Sequence, residues 1–477
     1  MKNKLIGREK EKAILQQALI SEESEMIAII GRRRVGKTFL IRSVYQEKID
    51  IEFTGVQNAS RKEQLASFHF LIKRYAKSDS LKSPKNWLEV FHQLITVLDE
   101  KNNPNKKQIL FFDELPWLAT KKSGFLRALG FFWNNWASKN NIIVVICGSA
   151  ASWMIQKVVK DKGGLHNRIT RRINLKPFTL AETDFFLKSK HLKLNRYHTT
   201  LIYMIMGGIP HYLKELKAGK SAIQNIDDIC FADEGLLSDE FFNLYPALFE
   251  HSENHVAVIR ALATKWKGLT RADIIKLGKI PNGGGLSKIL DELKHSGFIS
   301  DYYPFGKKNK DKLYRLTDEY SLFYINFIEK KKRNVKGAWK ALSQTSTFNA
   351  WSGYAFESLC LKHIDKIKKA LDIGGIYSED SSFIFKGNEE LGGVQIDLLI
   401  DRNDQVINLC EMKFKRTAFN ISKSYAEQLR NKILVFSEVS KTKKQIFLTM
   451  ITSFGTIENK YSQELVDNDL TMDVLFD

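Results

Sequence analysis

Short apolar runs alternate with segments of helical character in the first third of the chain. Residues 26–30, 109–112 and 142–146 are continuous apolar stretches, the pattern of strands that are buried on both faces of a parallel sheet. The segment 39–45, which follows the first run, is compatible with a helix. Strands and helices that alternate in this way predict an α/β domain, which we assign to residues 1–180.

The pattern changes after residue 180. Residues 181–248 place aromatic, aliphatic and charged positions at helical spacing, which predicts a small helical lid. Its aromatic side chains are expected in the core, and they are Phe185, Phe186, Phe241 and Phe242. Residues 249–330 have the pattern of three helices and a hairpin with a basic tip, the order of a winged helix-turn-helix. We expect helices at 255–266 and 285–296, with Thr270 as the cap of the helix between them.

The last third of the chain contains a strand hairpin. A basic run without acidic residues follows residue 330 and predicts a linker at 331–346. Residues 395–400 and 406–413 have strand character, and the segment 401–404 between them has the residue types of a turn. These features predict a second α/β domain at 347–477.

The charge of the chain favours a polyanionic partner. The 477 residues include 74 Lys and Arg against 54 Asp and Glu, which gives a net charge of +20. A surplus of this size attracts nucleic acid, and we favour DNA. A basic protein from a lineage rich in lysine would have the same composition, so the positions of the charges decide between the two interpretations. The sequence leaves open a homo-oligomer or a protein partner.

The remaining composition argues against several classes of protein. Four widely spaced cysteines, none in a CxxC pair, favour neither a zinc site nor a disulfide framework: Cys147, Cys230, Cys360 and Cys410. The chain has no signal-peptide pattern and no run of about 18 apolar residues, so we expect a cytoplasmic protein without a membrane partner.

A glycine-rich loop follows the first predicted strand. Residues 31–38 fit G-x-x-x-x-G-K-[ST] between a strand and a helix, which is the context that a P-loop requires. The glycines let backbone N–H groups face phosphate oxygens, while the lysine reaches the β- and γ-phosphates and the threonine hydroxyl ligates Mg²⁺. The predicted cofactors are therefore ATP and Mg²⁺. The residues predicted to bind them here are Gly31, Arg34, Gly36, Lys37 and Thr38.

Two carboxylates end the second apolar run. Asp113 and Glu114 follow Phe112, which is the Walker B arrangement about 75 residues after the P-loop. We expect Asp113 to hold the Mg²⁺ ion together with Thr38, and Glu114 to polarise the attacking water as a catalytic residue.

Polar and basic residues follow the third apolar run. Ser149 comes at the end of the strand and is expected beside the γ-phosphate. Further on, Arg168, Arg171 and Arg172 form a basic stretch. An arginine here, with Arg168 as the candidate, can act as a finger on the nucleotide, or the stretch can be a solvated basic face.

In combination, these motifs resemble those of the prokaryotic AAA-like ATPases of the STAND type. The matching segments are Gly7-Arg8-Glu9, the P-loop, Phe112 to Glu114, Gly148-Ser149, Arg168 to Arg172, Pro177-Phe178 and Gly207 to Pro210. The resemblance extends over the whole chain. It implies that Arg8 lies near the nucleotide base and that the helical lid moves with the nucleotide state.

The hairpin near the C-terminus carries a second set of candidate residues. Glu411 and Lys413 alternate along one strand and share a face, and the hairpin can bring Asp397 beside them. Two carboxylates can hold Mg²⁺, and the lysine can orient the attacking water. This pattern resembles the core of PD-(D/E)XK nucleases, in which Glu357 matches the carboxylate of the first helix. We expect support from Tyr425 and Gln428, and nearby bases are Lys415, Arg416, Lys423 and Arg430.

Two interpretations of these C-terminal segments stay open. The domain is either an active metal-dependent nuclease, with Asp397 and Glu411 as metal ligands, or a nuclease-like fold that keeps its residues for binding. In the winged segment, DNA phosphates can meet Lys288, Lys294, Lys307, Lys308, Lys310 and Lys312. Asp291 and Glu292 on the same helix favour a protein interface instead. The two functional hypotheses are an ATP-switched protein that cleaves nucleic acid and a regulatory ATPase that only binds partners.

Overall fold

A computed structural model describes residues 5–120, 122–160, 163–307, 311–330 and 337–477. The chain folds into two compact units, Met1–Pro177 and Phe178–Asp477.

The first unit is built on a parallel sheet. Its strands are β1 (Glu25–Ile30), β2 (Ile51–Thr54), β3 (Gln108–Asp113), β4 (Ile142–Gly148) and β5 (Arg171–Asn174). Its helices are α1 (Glu9–Ile20), α2 (Lys37–Tyr45), α3 (Arg61–Ala76), α4 (Trp87–Glu100), α5 (Leu115–Leu118), α6 (Phe125–Asn135) and α7 (Ala151–Met154). In the described residues the strand order is β2-β3-β4-β1-β5, and every pair is parallel. The three strands predicted from apolar runs are therefore confirmed, and they are neighbours at the centre of the sheet.

An aromatic cluster packs the helices against one face of this sheet. The rings of Phe53 and Phe68 stack with their centroids 4.1 Å apart, and Phe112 lies 5.1 Å from Phe53. Trp87 meets Phe68 edge-on at 4.9 Å. Phe112 immediately precedes the Walker B carboxylates. Its packing against the other aromatic rings therefore holds the end of β3, which carries these carboxylates, in position.

The second unit begins with helices and continues with a hairpin. The helices are α8 (Leu180–Ser189), α9 (Arg196–Met206), α10 (Pro210–Leu213), α11 (Ala222–Ile226), α12 (Glu240–Leu244), α13 (Glu253–Thr264), α14 (Arg271–Gly278) and α15 (Gly284–His295). Strands β6 (Ile299–Tyr302) and β7 (Leu313–Leu316) pair in antiparallel fashion after them. The predicted order of three helices and a hairpin is thus present, although α13 and α15 begin before the predicted positions 255 and 285. The apolar period fixes the buried face of a helix, whereas its ends depend on capping. Thr270 does cap α14, since its Oγ1 accepts a hydrogen bond from the Asp273 N–H at 3.2 Å.

The expectation that the lid phenylalanines form a core is only partly correct. Phe241 is buried and Phe186 is half-buried. Phe185 and Phe242, however, are 65% and 62% exposed, so their placement in the core was wrong. Each of them is adjacent to the other aromatic residue of its pair on a helix, and successive helical positions point in directions about 100° apart, so a helix that packs on one side buries only one of the two.

The remainder of the second unit is a mixed sheet with helices. Helices α16 (Glu319–Phe323), α17 (Ala338–Leu342), α18 (Ser346–Lys362) and α19 (Ile364–Ala370) precede strands β8 (Ser378–Phe385), β9 (Val394–Arg402) and β10 (Val406–Lys413), which are followed by α20 (Lys423–Ser440), β11 (Gln445–Thr452), α21 (Lys460–Leu465) and β12 (Asn468–Thr471). Within the described ranges the strand order is β12-β11-β10-β9-β8. Strands β8, β9 and β10 form an antiparallel meander, and β11 and β12 continue it in parallel.

The predicted linker at 331–346 is partly folded. Residues 331–336 lie outside the described residues. The following α17 inserts Trp339, which is fully buried, among Phe231, Phe323 and Phe327. The second half of the predicted linker, which contains α17, is therefore packed into the second unit.

Candidate functional site

The P-loop joins β1 to α2 at the centre of the first sheet. A Cβ atom on Gly31 would lie 2.4 Å from the Leu175 carbonyl oxygen, so only glycine fits there. Gly36 has φ +93°, a backbone conformation that residues with a side chain rarely adopt. Arg34 also has positive φ, at 73°. The sequence motif is therefore matched by the backbone that a phosphate-binding loop needs.

Lys37 begins α2 and is buried inside this loop. Its Nζ donates hydrogen bonds to the carbonyl oxygens of Gly31 at 2.8 Å and Arg32 at 3.1 Å. The side chain is only 6% exposed. The ammonium group thus lies at the concave side of the loop that the motif assigns to phosphate.

Thr38 contacts the end of β3. Its Oγ1 donates to Asp113 Oδ2 at 2.7 Å, across 75 residues of sequence. The other carboxylate oxygen accepts hydrogen bonds from the Glu114 N–H at 3.0 Å and from the Cys147 Sγ at 3.0 Å. A hydroxyl and a carboxylate are hard oxygen donors, so this pair fits the ligand preference of Mg²⁺. Burial, followed by the charge of Asp113, raises the pKa of the Cys147 thiol well above its usual value.

Glu114 and Ser149 meet beside this pair. Glu114 Oε2 accepts hydrogen bonds from the Ser149 N–H at 3.1 Å and from its Oγ at 2.8 Å. The backbone of Glu114 is left-handed, with φ 48° and ψ 51°. Because β3 and β4 are adjacent and parallel, their carboxyl ends bring together two residues that the sequence separates by 35 positions.

Arg8 also contacts the P-loop. It is buried, and its Nη2 donates to the Val35 carbonyl oxygen at 3.4 Å. The resemblance implied that Arg8 lies near the nucleotide base; the structure places Arg8 against the P-loop, and its position relative to the base stays a prediction.

The basic stretch is divided between two environments. Arg171 lies on β5 and forms an ion pair with Glu25, with Nη2 and Oε1 2.8 Å apart. Arg168 and Arg172 are exposed. The finger candidate is therefore accessible, whereas Arg171 is bound within the first unit.

We expect Arg171→Ala to weaken the fold of the first unit rather than its chemistry. The Glu25 side chain is 5% exposed, so removing its partner leaves a buried charge without its strongest hydrogen bonds. The free energy of unfolding should fall by about 2 kcal/mol. Urea unfolding measures the loss, and Arg172→Ala is the matched control because that side chain is exposed. Equal stabilities of the two variants would refute this role.

A second candidate site lies on β9, β10 and α18. Glu411 is buried, and its two carboxylate oxygens are held by side chains from two elements. Lys413 Nζ lies 2.8 Å from Oε1, and Lys432 Nζ lies 2.6 Å from Oε2. Tyr425 OH donates to Oε1 at 2.6 Å. Burial alone would raise the pKa of Glu411, but the charges of Lys413 and Lys432 outweigh it and lower the pKa to about 2.

Asp397 and Glu357 line one cleft of about 190 Å³. Asp397 Oδ1 accepts a hydrogen bond from Gln395 Nε2 at 2.7 Å. Burial, and then the negative charge of Asp397, raises the pKa of Glu357 to about 8. Glu357 is thus mostly protonated at neutral pH and becomes charged above it. Among the residues that the structure describes, no three His, Cys, Asp or Glu side chains form a metal-binding group. A Mg²⁺ site with one or two carboxylates remains compatible with these positions, because this ion keeps several waters.

The structure also changes the list of supporting residues. Lys432 was missed, although it lies seven residues after Tyr425 on α20 and therefore on the same helical face. Gln428 is exposed. Of the nearby bases, Arg430 pairs with Glu464 at 2.7 Å, and Arg416 Nη2 donates to the Ser343 carbonyl at 3.1 Å. Lys415 and Lys423 are exposed.

Of the four described lysines that were predicted to meet DNA, three lie within ion-pair distance of a carboxylate. Asp301 pairs with Lys294 at 2.5 Å and with Lys312 at 2.9 Å. Lys288 lies 3.7 Å from Glu292 on its own helix. Lys307 is exposed, while Lys308 and Lys310 lie outside the described residues. The ion pairs reduce the positive potential that this surface could offer to a phosphate.

The parallel sheet, the P-loop and the paired carboxylates define a P-loop ATPase. Residues 5–216 match the model of an ATPase domain found predominantly in Archaea. Residues 5–216 therefore match an ATPase domain of archaeal type, and the chain is an ATPase.

The chain is also similar to individual proteins. An uncharacterized protein of Methanocaldococcus jannaschii is 25% identical over 447 residues, which cover 90% of this chain and 92% of the relative. An uncharacterized ATP-binding protein of the same organism is 24% identical over 57% of this chain and 85% of its own length. A Walker-type ATPase of Pyrococcus abyssi has a similar fold, with a TM-score of 0.50 at 19% identity, over 67% of this chain and 95% of that structure.

No helix in the described parts of the chain is long and apolar enough to span a membrane.

Proposed function

We propose that the protein is an ATP-switched, metal-dependent nuclease. The observation that carries this proposal is the buried Glu411 carboxylate, which Lys413 on the same strand keeps ionised. Asp397 lies on the adjacent strand, β9. Along the chain, helices α18 and α19 are followed by the antiparallel meander of β8, β9 and β10, then by helix α20 and the parallel strand β11. This order and the D…E-x-K residues support a PD-(D/E)XK nuclease-like domain at 347–477.

At the ATPase site, each side chain has a distinct proposed role. Lys37 binds the β- and γ-phosphate oxygens, and the N–H groups of the P-loop cradle them. Thr38 and Asp113 would hold Mg²⁺, which neutralises phosphate charge when bound. Glu114 accepts the proton of the attacking water, and Ser149 orients the Glu114 carboxylate through the two hydrogen bonds that it donates. Arg168 is the candidate finger.

At the nuclease-like site, the roles follow from charge. Asp397 and Glu411 would hold a divalent cation, which supplies a Lewis acid when bound. Lys413 orients the attacking water, and Tyr425 keeps the Glu411 carboxylate in position through its hydroxyl. Glu357 is a further carboxylate of the cleft, available above a pH of about 8 or when a cation offsets the charge of Asp397. The net charge of +20 supports nucleic acid as the partner.

A second candidate function is a regulatory ATPase that binds partners without cleavage. Both oxygens of Glu411 are engaged by lysines, which would have to release them for a cation to bind. The three helices and hairpin at 253–316 support a winged helix, but the pairing of Lys294 and Lys312 with Asp301 favours a protein-binding role for that segment.

The test is a cleavage assay with single-stranded DNA, plasmid DNA and RNA, in Mg²⁺ or Mn²⁺ or EDTA, with and without ATP. We expect cleavage that needs the divalent ion and changes with ATP. Lys37→Ala should weaken ATP binding by about 10- to 100-fold, because a charged hydrogen-bond donor to the phosphates is lost. In this variant the response of cleavage to ATP should disappear. The exposed Lys48→Ala is the matched control.

The possible results separate the two candidate functions. Metal-dependent cleavage that is the same in wild type and Lys37→Ala would mean a nuclease without an ATP switch. ATP hydrolysis without cleavage of any substrate would favour the regulatory ATPase. Unchanged ATP affinity in Lys37→Ala would contradict the assignment of the P-loop.

A further inference from the structure

The hairpin of β6 and β7 is fastened to the C-terminal sheet. Pro304 forms a bridge with Ser382 on β8, and the Phe305 N–H donates to the Ser382 carbonyl at 2.5 Å. The Phe305 ring meets Phe436 of α20 edge-on, with centroids 5.4 Å apart. On the other side, Tyr354 OH of α18 donates to the Leu316 carbonyl at 3.2 Å. These contacts join residues 253–316, which we call the hairpin segment, to strand β8 and to helices α18 and α20.

Because of this packing, the cleft is lined by basic side chains as well as by carboxylates. Lys267, Tyr302 and Arg315 of the hairpin segment line the same cleft as Glu357 and Asp397. Arg315 Nε donates to Ser300 Oγ at 3.2 Å, and the guanidinium lies over the Tyr302 ring, 5.6 Å from its centroid. Arg315 is therefore positioned by its own hairpin, with its planar end beside an aromatic face.

The two basic side chains of the cleft differ from the lysines on the outer surface of the hairpin segment. Lys294 and Lys312 share Asp301 as an ion-pair partner. In the described part of the chain, no carboxylate forms an ion pair with Lys267 or Arg315, and Lys267 is exposed to solvent. Lys267 and Arg315 are therefore the cations of this cleft that can still take up an anion, beside the carboxylates of Glu357, Asp380 and Asp397, of which Asp380 is paired with Lys368.

An aromatic pair completes the lining of the cleft. Trp266 stacks on Tyr354 with centroids 5.6 Å apart and an interplanar angle of 30°, and both line the cleft. Aromatic faces beside cations are the surfaces on which the bases of single-stranded nucleic acids stack. With a volume of about 190 Å³, the cleft is smaller than most small-molecule pockets, so it can take one phosphodiester with its sugar but has no room for a duplex.

We infer that Lys267 and Arg315 bind the backbone phosphates of a single-stranded nucleic acid and present it to Asp397, Glu411 and Lys413. The inference rests on the proposed nuclease function and names its substrate class. The hairpin segment then serves as the substrate-binding half of the site, rather than as a separate reader of duplex DNA. Lys267 and Arg315 are binding residues, and Trp266 supports a base next to the bound phosphate.

The test measures binding separately from cleavage, with the full-length protein. Fluorescence anisotropy of labelled 20-nucleotide single-stranded DNA, single-stranded RNA and duplex DNA is recorded in Ca²⁺ over a range of salt. Lys267→Ala and Arg315→Ala should each weaken single-strand binding by about tenfold and reduce the salt slope by about one. Arg315→Lys should keep part of the affinity, because the charge remains while the two-pronged geometry is lost. Lys276→Ala, which changes an exposed lysine of α14, is the matched control.

Thermal unfolding of each variant checks that it folds, and Lys267→Ala keeps the test decisive if Arg315→Ala does not, because Lys267 is exposed. The DNA and RNA arms identify which strand is preferred. Wild-type affinity in both variants, an equal loss in Lys276→Ala, tighter binding of the duplex, or no binding by wild type would each overturn the inference.

The outcomes also separate this inference from the proposed function. Binding that depends on Lys267 and Arg315, without any cleavage, would support the role of these two residues in binding and refute the nuclease function. Cleavage that is unchanged in both variants would support the nuclease function and refute the role of Lys267 and Arg315 in binding the substrate.

Discussion

Glu114→Gln is expected to stop ATP hydrolysis while ATP binding stays near the wild-type level. Gln has the shape of Glu and can still accept the hydrogen bonds that Ser149 donates, so the end of β3 should keep its structure. It cannot take a proton from the attacking water. Loss of a general base lowers turnover by about 10²- to 10⁴-fold. Steady-state phosphate release measures this effect, and titration with a fluorescent ATP analogue measures binding.

Two further variants sharpen this result. Glu22→Gln changes an exposed carboxylate of the same unit and should behave as wild type. Ser149→Ala removes one of the two hydrogen bonds to Glu114 Oε2 and should reduce turnover less than Glu114→Gln does. If Glu114→Gln hydrolyses ATP at the wild-type rate, another group is the base. If it fails to bind ATP, the carboxylate has a structural role at the P-loop instead.

Lys413→Ala should abolish nucleic-acid cleavage without unfolding the C-terminal sheet. Lys413 is the cation on the strand that also carries Glu411, and its Nζ lies over the Tyr425 ring, 5.2 Å from the centroid. Removing it leaves Lys432 to balance the Glu411 charge, so the buried carboxylate keeps an ion-pair partner. We expect cleavage to fall by about 10²- to 10⁴-fold, the range for a group that handles the attacking water.

Lys415→Ala is the matched control for this variant. Lys415 follows two residues later and is exposed, so its loss should leave the cleavage rate close to that of wild type. The affinity for single strands should be unchanged in Lys413→Ala, because Lys267 and Arg315 bind the strand. Cleavage that persists in Lys413→Ala at the wild-type rate would exclude this site as the source of the activity.

The positions of the candidate ATPase residues in the fold were largely predictable because these residues are contiguous or end neighbouring strands. The P-loop is a run of eight residues, and its backbone requirements select Gly31 and Gly36 directly. Asp113 and Ser149 follow apolar runs of the length that is typical of buried parallel strands, and both runs are strands in the structure. Once those strands are adjacent, their carboxyl ends must meet. The sequence could not say that the Glu114 carboxylate would be held by Ser149, because that pairing depends on strand order.

The C-terminal site was less predictable because its charges come from distant elements. Lys432 reaches Glu411 from α20, and only the spacing of seven residues from Tyr425 could have indicated it. The pairing of Asp301 with both Lys294 and Lys312 likewise depends on how the hairpin folds onto α15. A count of lysines in sequence overstates the charge available to a phosphate, since it cannot include these partners. The role of Lys267 and Arg315 depends on contacts between the hairpin and β8.

The left-handed backbone of Glu114 sets folding stability against catalysis at a single position. A non-glycine residue in this conformation costs roughly 1–2 kcal/mol relative to one in the right-handed region. Glycine would relieve that cost but would remove the carboxylate that Ser149 holds. Selection for heat resistance alone would therefore favour a different amino acid at position 114 from selection for turnover. A more stable and inactive variant at this position would be an example of the trade-off between stability and activity that is common at active sites.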